Sequence, residues 1–111
     1  MAGGLSILMP VFNERATVEA AIEDALSAEL PVEGRELIVV DDGSTDGTRE
    51  LLEARTWPEG VKVVFHERNL GKGSAVRTAL QHATSEYAAI LDADLEYRAA
   101  DLAEVLEPLV A

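Results

Sequence analysis

Leu37-Ile38-Val39-Val40-Asp41-Asp42-Gly43-Ser44-Thr45-Asp46-Gly47 is the stretch on which the fold turns. Four apolar residues, three of them β-branched, run without interruption and give way at once to carboxylates, glycine and hydroxyls. Such a run reads as a strand buried on both faces, the pattern of a parallel sheet rather than of a half-solvated antiparallel one. The residues after it end the strand and open a helix, for which Ser44, Thr45 and Asp46 are all suitable caps.

The same unit recurs on either side. Residues 5–9 form an apolar run that Pro10 is expected to end, followed by a loop over 10–14. Val18, Ala21, Ile22, Ala25 and Leu26 then fall at helical spacing, and Pro31 and Gly34 stop that helix. Downstream, Thr48, Leu51 and Leu52 give a second helix its apolar side, residues 61–65 form a third strand, and 66–73 a polar loop. Ala75, Val76, Ala79, Leu80 and Ala83 mark a third helix, and 87–91 reads as a fourth buried strand. A final helix is expected from about Ala100, through Leu102, Val105, Leu106 and Leu109. This alternation predicts an α/β fold: a Rossmann-like open parallel sheet of about four strands, with right-handed crossovers and helices on both faces. Every loop that follows a strand then opens on one edge, where such sheets bind ligands. Loops 10–14, 41–46, 69–73 and 92–96 are expected to be neighbours.

Composition narrows the ligand. A chain of 111 residues with 48% hydrophobic and 27% charged residues is one compact globular domain. A net charge of -12 argues against a nucleic-acid groove and against unaided attachment to an anionic membrane. A polyanionic ligand would need a mediating cation. With no cysteine, disulfide and thiolate chemistry are excluded. The start, Met1-Ala2-Gly3-Gly4, lacks the pattern of a signal peptide, and no apolar run approaches a membrane span, so a cytoplasmic protein is expected.

The chemistry concentrates at strand ends. Asp92-Ala93-Asp94 places two carboxylates one residue apart, where both can approach a hard cation such as Mg2+ or Mn2+; a D-x-D is also what a solvated turn looks like. Glu96 is a third ligand or a helix-start acid. Asp41 and Asp42 can accept from a base N–H or a ribose hydroxyl, or cap the following helix. Gly43 permits a sharp turn and close approach by a ligand. Gly71, Lys72 and Gly73 precede a helix, where N–H groups and an ammonium meet an anion. Gly71-x-Gly73-x-x-Val76 also resembles a dinucleotide fingerprint, but Val76 stands at the final glycine and the glycines lie several residues past the strand. His66 follows a strand end without a histidine at metal-pair spacing, and His82 is expected on a helix surface. No Ser/His/Asp triad can be assembled.

Taken in order, Pro10-x-x-Asn13-Glu14, Val39-Val40-Asp41-Asp42-Gly43-Ser44-x-Asp46-Gly47-Thr48, Asn69-x-Gly71-Lys72-Gly73 and Asp92-Ala93-Asp94-Leu95-Glu96 resemble family 2 glycosyltransferases of GT-A fold, especially the polyprenyl-phosphate (dolichyl-phosphate) sugar transferase branch. Ala79, where glycine is common, and Arg98-Ala99-Ala100, in place of a proline-containing step, depart from the pattern. The resemblance implies inverting transfer from a UDP- or GDP-linked sugar to a hydroxyl or a lipid phosphate. It implies a nucleoside-binding wall of Pro10, Phe12, Asn13, Glu14, Asp41, Asp42 and Gly43, with Gly71, Lys72 and Gly73 on the base and ribose side. It implies that Asp92 and Asp94 are the catalytic pair holding Mg2+ or Mn2+ and the donor diphosphate, with Glu96 in a metal role.

Residues 1–111 are accordingly expected to be the nucleotide-sugar-binding part of a larger GT-A domain. The acceptor site and general base are expected outside it, and donor binding is expected ahead of turnover. A lipid-phosphate acceptor would make the protein membrane-peripheral, and an open sheet edge favours a homo-oligomer or a partner chain. The rival readings are a non-catalytic, self-associating half-domain and a dinucleotide-binding oxidoreductase domain.

Overall fold

The computed structural model of the protein describes residues 4–103. The elements are β1 (Leu5–Val11), α1 (Val18–Ser27), β2 (Arg35–Asp41), α2 (Thr48–Ala54), β3 (Val61–Phe65), α3 (Lys72–Gln81) and β4 (Tyr87–Ile90), followed by a single 3-10 turn at Ala99–Asp101. All strand pairs are parallel, in the order β3-β2-β1-β4. The expected α/β architecture is present.

That order explains the layers. The chain steps from β1 to β2 to β3 in one direction, then returns past β1 to β4. Right-handed crossovers put the helix of a reversed step on the opposite face. Val18, Ile22 and Ala25 of α1 and Leu52 of α2 therefore pack with Leu5, Ile7, Met9, Leu37 and Val39 on one side. Ala75 and Ala79 of α3 pack on Leu8, Ile38 and Val40 on the other. Because β1 and β2 are covered on both faces, their sequences carry no polar alternation.

Four expectations about the elements are corrected. Pro10 does not end β1, which continues to Val11 with Pro10 opposite Val40. Leu5 N–H donates towards β2, to the Gly34 carbonyl, whereas the Leu8 carbonyl accepts Leu91 N–H from the β4 side. Even-numbered residues of β1 thus face β4, and the last pair on that side is Leu8 with Ile90. The missing N–H of Pro10 points beyond the end of β4, so no ladder bond is lost. Secondly, β4 is not buried on both faces: Ile90 is 50% exposed, because α3 lies over β1 and β2 and stops short of β4. Thirdly, Gly73 lies in the first turn of α3 rather than in a loop. Lastly, Arg35, Glu36 and Asp41 extend β2 beyond its apolar run. Of the expected final helix, Val105, Leu106 and Leu109 lie outside the described residues.

The edge of the sheet away from the carboxyl ends is fastened by Glu36. Its carboxylate accepts from the Ser6 hydroxyl and from the N–H and hydroxyl of Thr84, and it pairs with Lys62. Desolvation pushes this carboxyl up, but those bonds together outweigh it and bring it from 4.5 down to about 2. A depressed carboxylate stabilises fully above its unfolded value and loses that contribution as pH falls through the folded one. Glu36→Gln is expected to lower stability by about 2 kcal/mol at pH 7. It should also flatten the loss of stability between pH 4.5 and pH 2, as read from urea denaturation across that window.

Candidate functional site

The strand order reverses between β1 and β4, and parallel sheets open a crevice at such a point. The crevice has a volume of about 480 Å3 and is lined from all four carboxyl-edge loops. Pro10, Val11, Phe12 and Glu14 come from the first, and Asp42 from the second. Asn69 and Gly71 come from the loop before α3, Lys72 and Ala75 from its first turn, and Asp92, Ala93 and Asp94 from beyond β4. The expected convergence of distant segments is therefore real, although not every expected residue reaches the opening.

Asn13 is one that does not line it. Its backbone is left-handed, at φ 53°, a conformation asparagine tolerates better than most residues. Its N–H donates to Ser44 Oγ (2.9 Å) and its Oδ1 accepts Thr45 N–H (2.8 Å), while Glu14 N–H donates to Thr48 Oγ1 (3.1 Å). Asn13 therefore stitches loop 10–14 to loop 41–48. Neighbouring Phe12 is left 44% exposed at the crevice. None of the three expected caps stands at the N-cap of α2, which is Gly47; Asp46, one residue earlier, accepts Thr48 N–H at 3.0 Å.

Asp41 and Gly43 also stand behind the opening. Asp41 is fully buried; its Oδ2 accepts Ser44 N–H at 3.3 Å, and its Oδ1 has no hydrogen-bond partner among the described residues. Gly43 has φ +73°, and a Cβ there would lie 2.3 Å from the Arg68 carbonyl carbon and 2.4 Å from Asn69 N. The close approach expected of a ligand is made by the chain itself.

Asp42 does reach the crevice, as a wall whose polar atoms are occupied. Its side chain is 3% exposed. Oδ1 accepts Leu70 N–H (2.9 Å) and meets His66 Nδ1 (2.8 Å). Oδ2 accepts Gly71 N–H (2.9 Å) and Asn69 Nδ2 (3.1 Å). Four donors fill the acceptor positions of one carboxylate. A ligand donor could enter only by displacing one; the Asn69 amide, also shared with the Asp42 carbonyl, is the least committed.

Opposite this wall, Thr17 Oγ1 donates to the Ala93 carbonyl at 2.7 Å, fastening the Asp92–Asp94 turn to the start of α1. Ala93 is buried, and the carboxylates on either side face outward. Asp92 pairs with Lys72 at 2.7 Å across the crevice. Asp94 Oδ1 accepts Glu96 N–H at 2.9 Å, around Leu95 at φ 62°. Glu14 closes an acidic rim: burial pushes its carboxyl up, and after the opposing Thr17 hydroxyl bond the charges of Asp94, Asp46 and Asp92 push it further.

Outward-facing carboxylate oxygens one residue apart suit a hard divalent cation, and Asp92 and Asp94 are the residues that could hold it. Among the described residues no three acidic or histidine side chains are gathered at metal-binding distance. Glu96, expected as the third, does not line the crevice and reaches Asp94 through its backbone N–H. Gly73, inside α3, does not line it either.

A parallel α/β sheet with a crevice at its switch point defines the open-sheet class of domains that bind ligands at that place. More specifically, the chain belongs to glycosyltransferase family 2: the model of "Glycosyl transferase family 2" matches residues 6–111. Glycosyltransferase AglJ of Haloferax volcanii is 41% identical over 104 residues, covering 93% of this chain and 31% of the relative. Undecaprenyl-phosphate 4-deoxy-4-formamido-L-arabinose transferase of Pectobacterium carotovorum is 36% identical over 107 residues, covering 93% and 32%. Among solved structures, the mannosyltransferase PcManGT of Pyrobaculum calidifontis, in complex with GDP-Man and Mn2+, superposes with a TM-score of 0.74. It is 33% identical, over 85% of this chain and 28% of that one. The chain thus spans about a third of the length of the curated relatives it matches. No helix among the described residues is long and apolar enough to cross a membrane.

Sequence reasoning named most of the rim but missed Val11 and Ala75 on its floor, and the pairing of Lys72 with Asp92. Val11 and Ala75 are both buried, and their place beneath the crevice depends on where β4 stops and where α3 begins, which residue types alone do not encode.

Proposed function

We propose that this chain is the donor-binding part of an inverting glycosyltransferase that takes a UDP- or GDP-linked sugar with Mg2+ or Mn2+. The observation that carries this reading is the meeting of Asp92 and Asp94 with the Asp42–Gly71 wall at one switch-point crevice of a family 2 chain. In this reading Phe12, Pro10 and Asp42 face the nucleoside, with Asn13, Asp41, Gly43 and Gly73 fixing the loops behind them. Gly71 N–H stays on Asp42, and Lys72 supplies positive charge to the diphosphate. Asp92 and Asp94 hold the ion, with Glu96 able to reach it only after a change of the 94–96 turn. The ion, when bound, supplies Lewis-acid stabilisation of the charge gained by the leaving nucleoside diphosphate.

The acceptor is a hydroxyl or a lipid phosphate. The undecaprenyl-phosphate transferase among the relatives supports the lipid, and with it a cytoplasmic, membrane-peripheral site of action. A phosphate acceptor is already anionic and needs no general base, whereas a hydroxyl would.

Calorimetry of the chain with UDP, GDP and NAD, with and without Mn2+, tests the donor site. The expected result is Mn2+-dependent binding of UDP or GDP and none of NAD. Binding of NAD alone would sink the reading in favour of a dinucleotide site.

A further inference from the structure

His66 has no part in the donor contacts proposed above, yet all its polar atoms are engaged. Its side chain, 10% exposed, places Nδ1 2.8 Å from Asp42 Oδ1 and Nε2 2.8 Å from Thr78 Oγ1. A carboxylate only accepts, so Nδ1 carries a proton, and the Thr78 hydroxyl can donate to Nε2. Its backbone N–H donates to the Asp41 carbonyl (2.8 Å), and its carbonyl accepts from Arg49 (3.2 Å). Asp42 in turn holds Leu70 N–H and Gly71 N–H. A continuous chain of bonds therefore joins the middle of α3, at Thr78, to the loop that opens the same helix.

We propose that His66 is a positioning residue of the nucleotide site. It orients the Asp42 carboxylate so that the Leu70–Gly71 backbone is set before a ligand arrives. Gly71 sits at φ +103° with nothing within 4 Å of where a Cβ would be, so no side chain or neighbouring loop packs against that side of it. Its carbonyl is tied to Ala75 N–H and, among the described residues, its N–H only to Asp42. Without the His66 link, the ligand itself would have to order this segment, and affinity would fall by that amount. The proposal rests on the crevice being a nucleotide site; the ordering of Leu70 and Gly71 does not depend on that.

The test uses the 111-residue chain and its His66→Phe, His66→Asn and Thr78→Val variants. Amide hydrogen exchange by NMR is measured without ligand, and UDP and GDP affinities are measured in Mn2+. In His66→Phe, exchange at Leu70 and Gly71 should accelerate and nucleotide affinity fall, each about tenfold, the scale of one lost hydrogen bond to a charged group. Exchange at Ile38 in the core should be unchanged. Asparagine keeps a donor near the Nδ1 position and should recover most of both effects, and Thr78→Val should show a smaller version of them. Wild-type exchange at Leu70 and Gly71 in all variants, or unchanged nucleotide affinity, overturns the proposal. If the parent chain binds neither nucleotide, the functional reading fails; the exchange contrast still decides whether His66 anchors the loop.

Discussion

The double substitution Asp92→Asn plus Asp94→Asn is expected to abolish Mn2+-dependent binding of UDP or GDP, a loss of at least about a hundredfold. These side chains offer the only paired carboxylates at the crevice among the described residues that are not already committed to the fold: Asp42 is filled by four donors, and Asp41 is behind the opening. The change is close to isosteric and leaves the buried Ala93 and its bond to Thr17 in place. The one ion pair removed, between Lys72 and Asp92, has both partners well exposed, at 61% and 39%, and such pairs contribute less than about 1 kcal/mol. Glu14 gains in compensation. The charges of Asp94 and Asp92 no longer raise its carboxyl, although burial, the larger cause, remains. Urea denaturation should thus return an almost unchanged stability while calorimetry returns no Mn2+ effect. Retention of that effect would remove these residues from the ion's site.

Gly43→Ala is expected to destabilise the fold by about 3 kcal/mol or more, with a fall in Tm of roughly 15 °C. The added Cβ would sit 2.3 to 2.8 Å from backbone atoms of Arg68 and Asn69, which cannot rotate aside. A left-handed φ of +73° adds about 1 kcal/mol for any residue bearing a Cβ. Gly71→Ala is the control. It has open space around the added carbon, so only the backbone penalty applies, at φ 103° and ψ 156° that of a region left almost entirely to glycine. A loss of only about 1 kcal/mol for Gly43→Ala, the backbone penalty alone, would mean that the crossing of segment 68–69 over Gly43 is not a tight contact in solution.

The difference between these glycines also marks what the amino-acid sequence could reveal. The strand-turn-helix alternation around Leu37–Val40 was enough for the architecture, because residues buried on both faces must be apolar throughout. The acids after β2 and β4 pointed to the correct edge for the same reason: carboxylates directly after a buried strand have only the rim to occupy. What did not show was which polar atoms are already bonded within the chain. Asp41 and Asp42 are adjacent and chemically alike. One ends the strand facing the α1 side of the sheet; the other turns towards α3 and gathers donors from residues 66 to 71. Asn13 resembled a ligand contact because its partners, Ser44 and Thr45, lie more than thirty residues away. The Thr78 partner of His66 depends on how α3 lies across β2, which no spacing rule encodes. Ile90 was misjudged for a similar reason, since an edge strand with an apolar outer face reads like a central one.

The overhang of β1 past β4 has a chemical consequence. Beyond the Leu8–Ile90 pair, β1 continues through Met9, Pro10 and Val11, a ledge of about 10 Å, at the rise of an extended chain, that β4 does not pair. On that side Pro10 offers a carbonyl and no N–H. The ledge can accept hydrogen bonds but cannot donate them, so β4 cannot lengthen along it by adding a full ladder. It suits hydroxyls and N–H groups and disfavours phosphate oxygens, which leaves the Lys72 side of the crevice to anions.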